Sequence, residues 1–384
     1  MAGKGLGCLL IFGDEFVQYV THVPTNTICA IFPLSEEPVV YYGMRAFDWY
    51  WQYGVGQNWT RDCRSMTYEH QMRDLVQTMK NLGLERGKIG VAIPMLRRPM
   101  WTRSLNIQRR SQILENLQVK EALPEASFVD ATDILDEMMM IKSAEEIGFL
   151  EKAAELAYLM FEAMKETAAT PGSKECDLYA NMIKASISNG GDLDMIMLDS
   201  GSSPMMHAKG TGQFCCTTRR LERGDIIITE YHATYGGYKI AKEHSLSLGE
   251  PLKQYKDIFE VCKECHRKGV EAMTPGTPVS EVAKAFRTPA DEAGMAYVEL
   301  GFCGHGLESA SFPTVIATTP YLEESSLMPR APRVELKLGM VFGTNVDIYN
   351  PKWRESVLML GDTILVTENG PRKLTNIPLE FTIV

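Results

Sequence analysis

Residues 224–245 pass from apolar to polar in a way that predicts two strands and the turn between them. Ile226, Ile227, Ile228 and Thr229 form an uninterrupted β-branched run, as a strand buried on both faces should. Gly236 and Gly237 then permit a tight turn into a second strand. Polar groups crowd where the strands finish: Glu230, His232, Lys242, Glu243 and His244. A buried hairpin ending in unmatched charges is a candidate site.

Short apolar runs at 8–12, 27–32, 38–42 and 88–93 read as strands, and the opening 8–12 runs on into strand-like sequence. Helices are expected at 70–82 and 111–117, which makes residues 8 to about 140 a small α/β domain. The boundary falls near 140–143. Ser143 with Glu146 three residues later is a capping box, and Ile147, Leu150, Ala154, Leu156, Ala157 and Met160 follow a 3.6 period. After Pro171-Gly172 come a helix over 175–189 and a strand over 194–198. A helix over 252–273 follows, then a Pro-Gly turn and a helix capped at Ser280.

Composition narrows the partners. The chain has 384 residues, 45% hydrophobic and 23% charged, enough for two well-filled domains. A formal net charge of -10 argues against nucleic acid. No run approaches the roughly 20 apolar residues of a membrane span, so no membrane partner is expected. Nine Cys without regular spacing suit reduced thiols and a cytoplasmic location. Cys262-Lys-Glu-Cys265-His266 spells a haem-attachment motif, but both cysteines fall on the apolar side of a helix with Ile258, Phe259 and Val270. Asn58-Trp59-Thr60 spells a glycosylation sequon, discounted because no secretory signal accompanies it.

The hairpin resembles the metal hairpin of the pita-bread family, which holds aminopeptidase P, prolidase, methionine aminopeptidase and creatinase. Its peptidases read D-x-G-x-x-Y-x-G-Y-x-x-D-x-T-R; Tyr235, Gly237 and Tyr238 fall on Y-x-G-Y, and Glu230 and Ala241 on the two metal-bridging aspartates. Glu243 replaces the Thr, as in metal-free creatinase. His305 in GFCGHG falls on a metal-ligand histidine, Phe312 on a second histidine, and Asn345 and Gly361 on ligand glutamates, with Asp362 beside them. His207 falls on an active-site histidine after a Gly/Ser-rich loop.

The resemblance implies an α/β protein of two domains. A small creatinase-like α/β domain would span 1–141, and a pita-bread α+β catalytic domain with a pseudo-two-fold curved antiparallel sheet 142–384. With so few anionic ligands left, it implies no metal and no cofactor. The expectation is then a metal-independent hydrolase of a non-peptide C–N bond, amidine, guanidino or cyclic amide, in a small cationic or zwitterionic substrate. His207 would be general acid and base, Glu243 with Glu230 would hold the cation, and His305 would stabilise developing charge. Tyr238 and Asn345 would touch substrate. Lys239, Lys242, Arg330, Arg333 and Arg354 are open choices for a substrate carboxylate.

The aromatic stretch 46–60 reads either as the wall of a domain interface or, by the resemblance, as a loop that closes over the ligand through Trp49, Trp51 and Arg45. In the second case the protein is a homodimer with the N-terminal domain of one subunit near the other's active site. Two alternatives stand beside this expectation. One is an Xaa-Pro dipeptidase, aminopeptidase or metal-dependent lyase of the same fold, and the other a pita-bread module that only binds.

Overall fold

A computed structural model describes residues 1–21, 27–43, 60–66, 71–93, 118–192, 195–204, 217–304 and 335–384. Among these residues two compact units are distinguished, Met1–Met139 and a second beginning at Met140.

The first unit is a six-stranded sheet with helices. In chain order its strands are β1 (Cys8–Phe12), β2 (Thr27–Pro33), β3 (Val39–Gly43), β4 (Asp62–Met66), β5 (Lys88–Ala92) and β6 (Ser127–Asp130). Across the sheet they run β4-β3-β2-β1-β5-β6, antiparallel only at β1–β2 and β2–β3. The helices are α1 (Asp14–Thr21), α2 (Gln71–Asn81), α3 (Val119–Ala122) and α4 (Thr132–Met140). Leu10, Ile31 and Ile89, at or near the strand centres, pack with Leu75 and Met79 of α2.

The sequence reading lacks α3, β6 and α4, and two further departures have a plain physical reason. The strand-like continuation past Phe12 is instead α1, which follows Gly13 (φ 86) and buries Phe16 and Val17. Strand β4 carries Asp62, Arg64 and Ser65 and sits at the sheet edge, so no apolar run marks it. The helix expected at 111–117 lies outside the described residues.

The second unit repeats one order twice, two helices and then antiparallel strands. Its first half holds α5 (Ala144–Ala169), α6 (Glu175–Ile187), β7 (Ile196–Gly201), β8 (Ile226–Tyr235) and β9 (Tyr238–Ser247). The second holds α7 (Lys253–Glu271), α8 (Val279–Glu292), β10 (Ala296–Gly304), β11 (Val341–Asn350), β12 (Arg354–Met359), β13 (Thr363–Thr367) and β14 (Gly370–Lys373). A last strand, β15 (Thr382–Ile383), returns to the first half, giving sheets ordered β15-β9-β8-β7 and β10-β11-β13-β14, with β12 on β11.

Each half has its own apolar layer between helices and sheet. Leu150, Ala157 and Met160 of α5 pack with Leu178 of α6 and Ile227 and Tyr231 of β8. Ile258 and Cys262 of α7 pack with Phe286 of α8 and Val346 and Ile348 of β11. Helix α5 starts at the expected capping box: the Glu146 amide donates to Ser143 Oγ at 3.2 Å, and Glu146 Oε2 accepts from the Ser143 amide at 2.7 Å. Ser280 does not cap α8, because the helix begins one residue earlier behind Pro278 and no side chain bonds its first turn. Cys262 and Cys265 are fully buried core residues of α7, as their helical spacing implied.

Candidate functional site

The hairpin β8–β9 forms in uninterrupted register from Ile226↔Ser247 to Tyr235↔Tyr238. Gly236 and Gly237 turn it with φ of 57° and 84°, the two positive dihedrals a type I′ turn requires. Because strand side chains alternate, Ile227, Tyr231 and Ala233 enter the α5–α6 layer while Glu230 takes the other face. Glu230 and Glu243 are register partners and so stand side by side on that face.

The two carboxylates are treated differently by their surroundings. Glu243 is 1% exposed; its Oε1 accepts from Asn345 Nδ2 at 2.6 Å and its Oε2 from the Val346 amide at 3.1 Å. Glu230 keeps 12% of its side chain exposed, with His232 Nε2 3.6 Å from Oε1. Ala241 is the register partner of His232, and its backbone amide and carbonyl are both bonded by the Thr363 hydroxyl at 2.9 Å. Thr363 went unremarked in the sequence, although its Asp-Thr opening to β13 was visible there.

Gly361 closes this wall. It exchanges two backbone hydrogen bonds with Glu243, at 3.2 and 3.3 Å. A Cβ at 361 would lie 2.0 Å from the Thr344 carbonyl oxygen and 2.8 Å from Glu243 Oε2. Its φ is not positive, so glycine is required here by space and not by conformation.

Of the residues singled out in the sequence, the structure brings together Glu230, Glu243 and Asn345. Tyr238 is elsewhere, at the hairpin turn, with its hydroxyl donating to Glu146 Oε1 at 3.3 Å and its ring stacked on Phe149 at 5.4 Å. Lys242 is not placed to receive a substrate carboxylate: it is completely buried, 3.2 Å from Asp362 Oδ2, and donates to the Gly361 carbonyl at 2.8 Å. Burial lowers its pKa, against the pull of Asp362. Lys239 is 8% exposed. His207, His305, Phe312, Trp49, Trp51, Arg45, Arg330 and Arg333 lie outside the described residues, and so does the side chain of Arg354.

The described residues do not fit a pair of divalent ions. Ala241 offers no donor atom, position 361 has no room for one, and the Asn345 amide is turned to Glu243. No group of three His, Cys, Asp or Glu among the described residues is placed to hold a metal. Nor, among them, is any helix long and apolar enough to cross a membrane.

The description of metallopeptidase family M24 matches residues 148–368. The Xaa-Pro dipeptidase of Pyrococcus horikoshii is 30% identical over 274 residues, 70% of this chain and 71% of that protein. That of Pyrococcus furiosus is 28% identical over 275 residues, 70% and 72% of the two chains. A probable dipeptidase PepE of Mycobacterium tuberculosis is 27% identical over 257 residues, covering 66% and 63%. Among solved structures, an X-Pro aminopeptidase from Thermotoga maritima superposes with a TM-score of 0.76 at 18% identity, covering 100% of this chain and 97% of that one. The prolidase of P. horikoshii does so with 0.73 at 21%, covering 98% and 96%. These likenesses give the fold, a pita-bread domain preceded by a smaller α/β domain.

They also overturn the expected chemistry. The relatives are named as dipeptidases, so a hydrolase stands, whereas a hydrolase of amidine, guanidino or cyclic amide C–N bonds does not. The missing ligand side chains report on the ligand set and carried no information about the bond that is cut.

Proposed function

The chain belongs to metallopeptidase family M24, and on that footing we propose that it acts on short peptides of the Xaa-Pro class. The observation that carries this is the match to Xaa-Pro dipeptidases over 70% of the chain. The geometry of the hairpin supports a substrate with a positive end. Two carboxylates directly opposite on a strand pair repel unless a cation or donors intervene. Glu243 takes its donors from Asn345 and Val346, which leaves the partly exposed Glu230 as the group to receive a peptide ammonium.

Hydrolysis needs a proton taken from the attacking water and one given to the proline nitrogen as the C–N bond breaks. We assign both transfers to His207, since imidazole exchanges protons near neutral pH, and a hydrogen bond to the developing oxyanion to His305. A homodimer in which Trp49, Trp51 and Arg45 of one copy stand near the other's site belongs to the same proposal.

The test is release of proline from Ala-Pro and Leu-Pro, measured with and without added Mn²⁺ and with chelator. Proline release that drops by at least about a hundredfold in His207→Ala is the expected result. A second reading, a module that binds such peptides without cutting them, is favoured by Ala241 and Gly361, two ligand positions without donor atoms. It predicts a raised melting temperature with dipeptide and no proline. Neither release nor a shift would refute both.

A further inference from the structure

We propose that Lys242 is a positioning residue: it pins the Gly361–Asp362 corner against β9 and thereby fixes where Glu243 holds its carboxylate. This rests on the reading of Glu230, standing beside Glu243, as the group that receives a peptide ammonium.

Consecutive strand residues point to opposite faces, so Lys242 and Glu243 project away from each other. Behind the wall, Lys242 is completely buried and spends its ammonium on two groups of one corner, the Gly361 carbonyl at 2.8 Å and Asp362 Oδ2 at 3.2 Å. That corner joins β12 to β13 and belongs to the other sheet. The same Gly361 exchanges two backbone hydrogen bonds with Glu243, and the Glu243 carboxylate is held by Asn345 and Val346 of β11, again in the other sheet. The second half of the unit therefore holds Glu243 by its backbone and by its carboxylate.

Asp362 has hydrogen-bond donors besides the lysine. The Thr363 amide donates to its Oδ1 at 2.8 Å and Thr375 Oγ1 to its Oδ2 at 2.7 Å, with Lys373 3.9 Å away. Methionine, of similar length, would fill the space but leaves the buried Asp362 charge to neutral donors and the more distant Lys373, so Lys242→Met is expected to lower stability as well. What methionine cannot do is donate to the Gly361 carbonyl, the same oxygen that accepts from the Glu243 amide at 3.3 Å.

The test compares Lys242→Met with Thr375→Val, which removes a bond to the same Asp362 but none to Gly361. Both are assayed at a temperature where circular dichroism finds them folded. If Lys242 positions Glu243, KM for Ala-Pro rises about tenfold in Lys242→Met and little in Thr375→Val. Equal KM values in the two variants and wild type overturn the proposal. Should wild type bind the dipeptide without cutting it, Kd by calorimetry takes the place of KM with the same two outcomes. Should wild type neither cut nor bind it, the Xaa-Pro reading has failed, and the pin is judged by hydrogen exchange alone. Faster exchange of the Glu243 and Gly361 amides in Lys242→Met than in Thr375→Val then supports it, and equal exchange refutes it.

Discussion

Replacing Gly361 by alanine adds one methyl group at the most crowded point of the candidate site. The new carbon would start 2.0 Å from the Thr344 carbonyl oxygen and 2.8 Å from Glu243 Oε2, where ordinary contact begins near 3.5 Å. The carboxylate can swing aside, but the carbonyl belongs to β11 and moves only with its strand. Parting β11 from the 360–362 corner strains the Thr344 amide to Asp362 carbonyl bond (2.8 Å), the Thr344 hydroxyl to the same oxygen (2.9 Å) and the Asp362 amide to Thr344 Oγ1 (2.8 Å). At about 1 kcal/mol for each of these three bonds and about 1–3 kcal/mol for overpacking, Gly361→Ala should cost about 4–6 kcal/mol. Differential scanning calorimetry would read this as a drop of about 10 °C in the transition of the second unit. Adding Glu243→Ala removes only the flexible contact and should not restore stability. Gly148→Ala, in α5 with nothing within 4 Å of the added carbon, is the control and should stabilise by about 0.5–1 kcal/mol. A neutral Gly361→Ala, or rescue by Glu243→Ala, would refute the steric argument.

Other expectations follow from buried polar groups. Burial, with smaller contributions from Lys242 and Lys373, lowers the His266 pKa to about 3. Between pH 6.5 and 3 the unfolded chain therefore binds a proton that the folded chain does not, and stability falls as pH drops, at about 1.4 kcal/mol per unit. His266→Leu should flatten that slope in urea titrations at successive pH values, and an unchanged slope would contradict the assignment. Glu175, 2% exposed, accepts from Ser200 Oγ at 2.9 Å and the Thr217 amide at 2.7 Å; Glu175→Ala should cost about 2–3 kcal/mol, while Glu175→Gln, which can serve both partners, should cost less in the same assay. Ser143→Ala removes the α5 cap and should lower stability by about 1 kcal/mol, measured by the urea midpoint.

What could be read in the sequence was local. Ser143 and Glu146 are three residues apart, and Gly236-Gly237 lies between two strands that are consecutive in the chain and pair with each other, so capping box and hairpin are both visible. Helix α1 was not, because eight residues with Phe16 and Val17 apolar become a helix only when a sheet covers them. Lys242 is in the sequence only one of five open choices for a substrate-binding cation, since its partner Asp362 is 120 positions away and no periodicity links them. The crowding at Gly361 is likewise set by a carbonyl of another strand. At the site, the resemblance pairs Glu243 with Glu230, and the two are register partners in the hairpin, but the substitution of ligand residues suggests a new substrate, where the relatives matched over 70% of the chain are named dipeptidases.

The buried thiols offer a way to watch the two units come apart separately. Cys8 and Cys29 in the first, with pKa values pushed up to about 12 by burial, and Cys262 and Cys265 in the second, likewise raised, are withheld from alkylating reagents while folded. Brief exposure to iodoacetamide during mild warming, followed by peptide mass mapping, would stamp whichever unit opens first. The chain thus carries native clocks for each half of its unfolding, with no label to engineer.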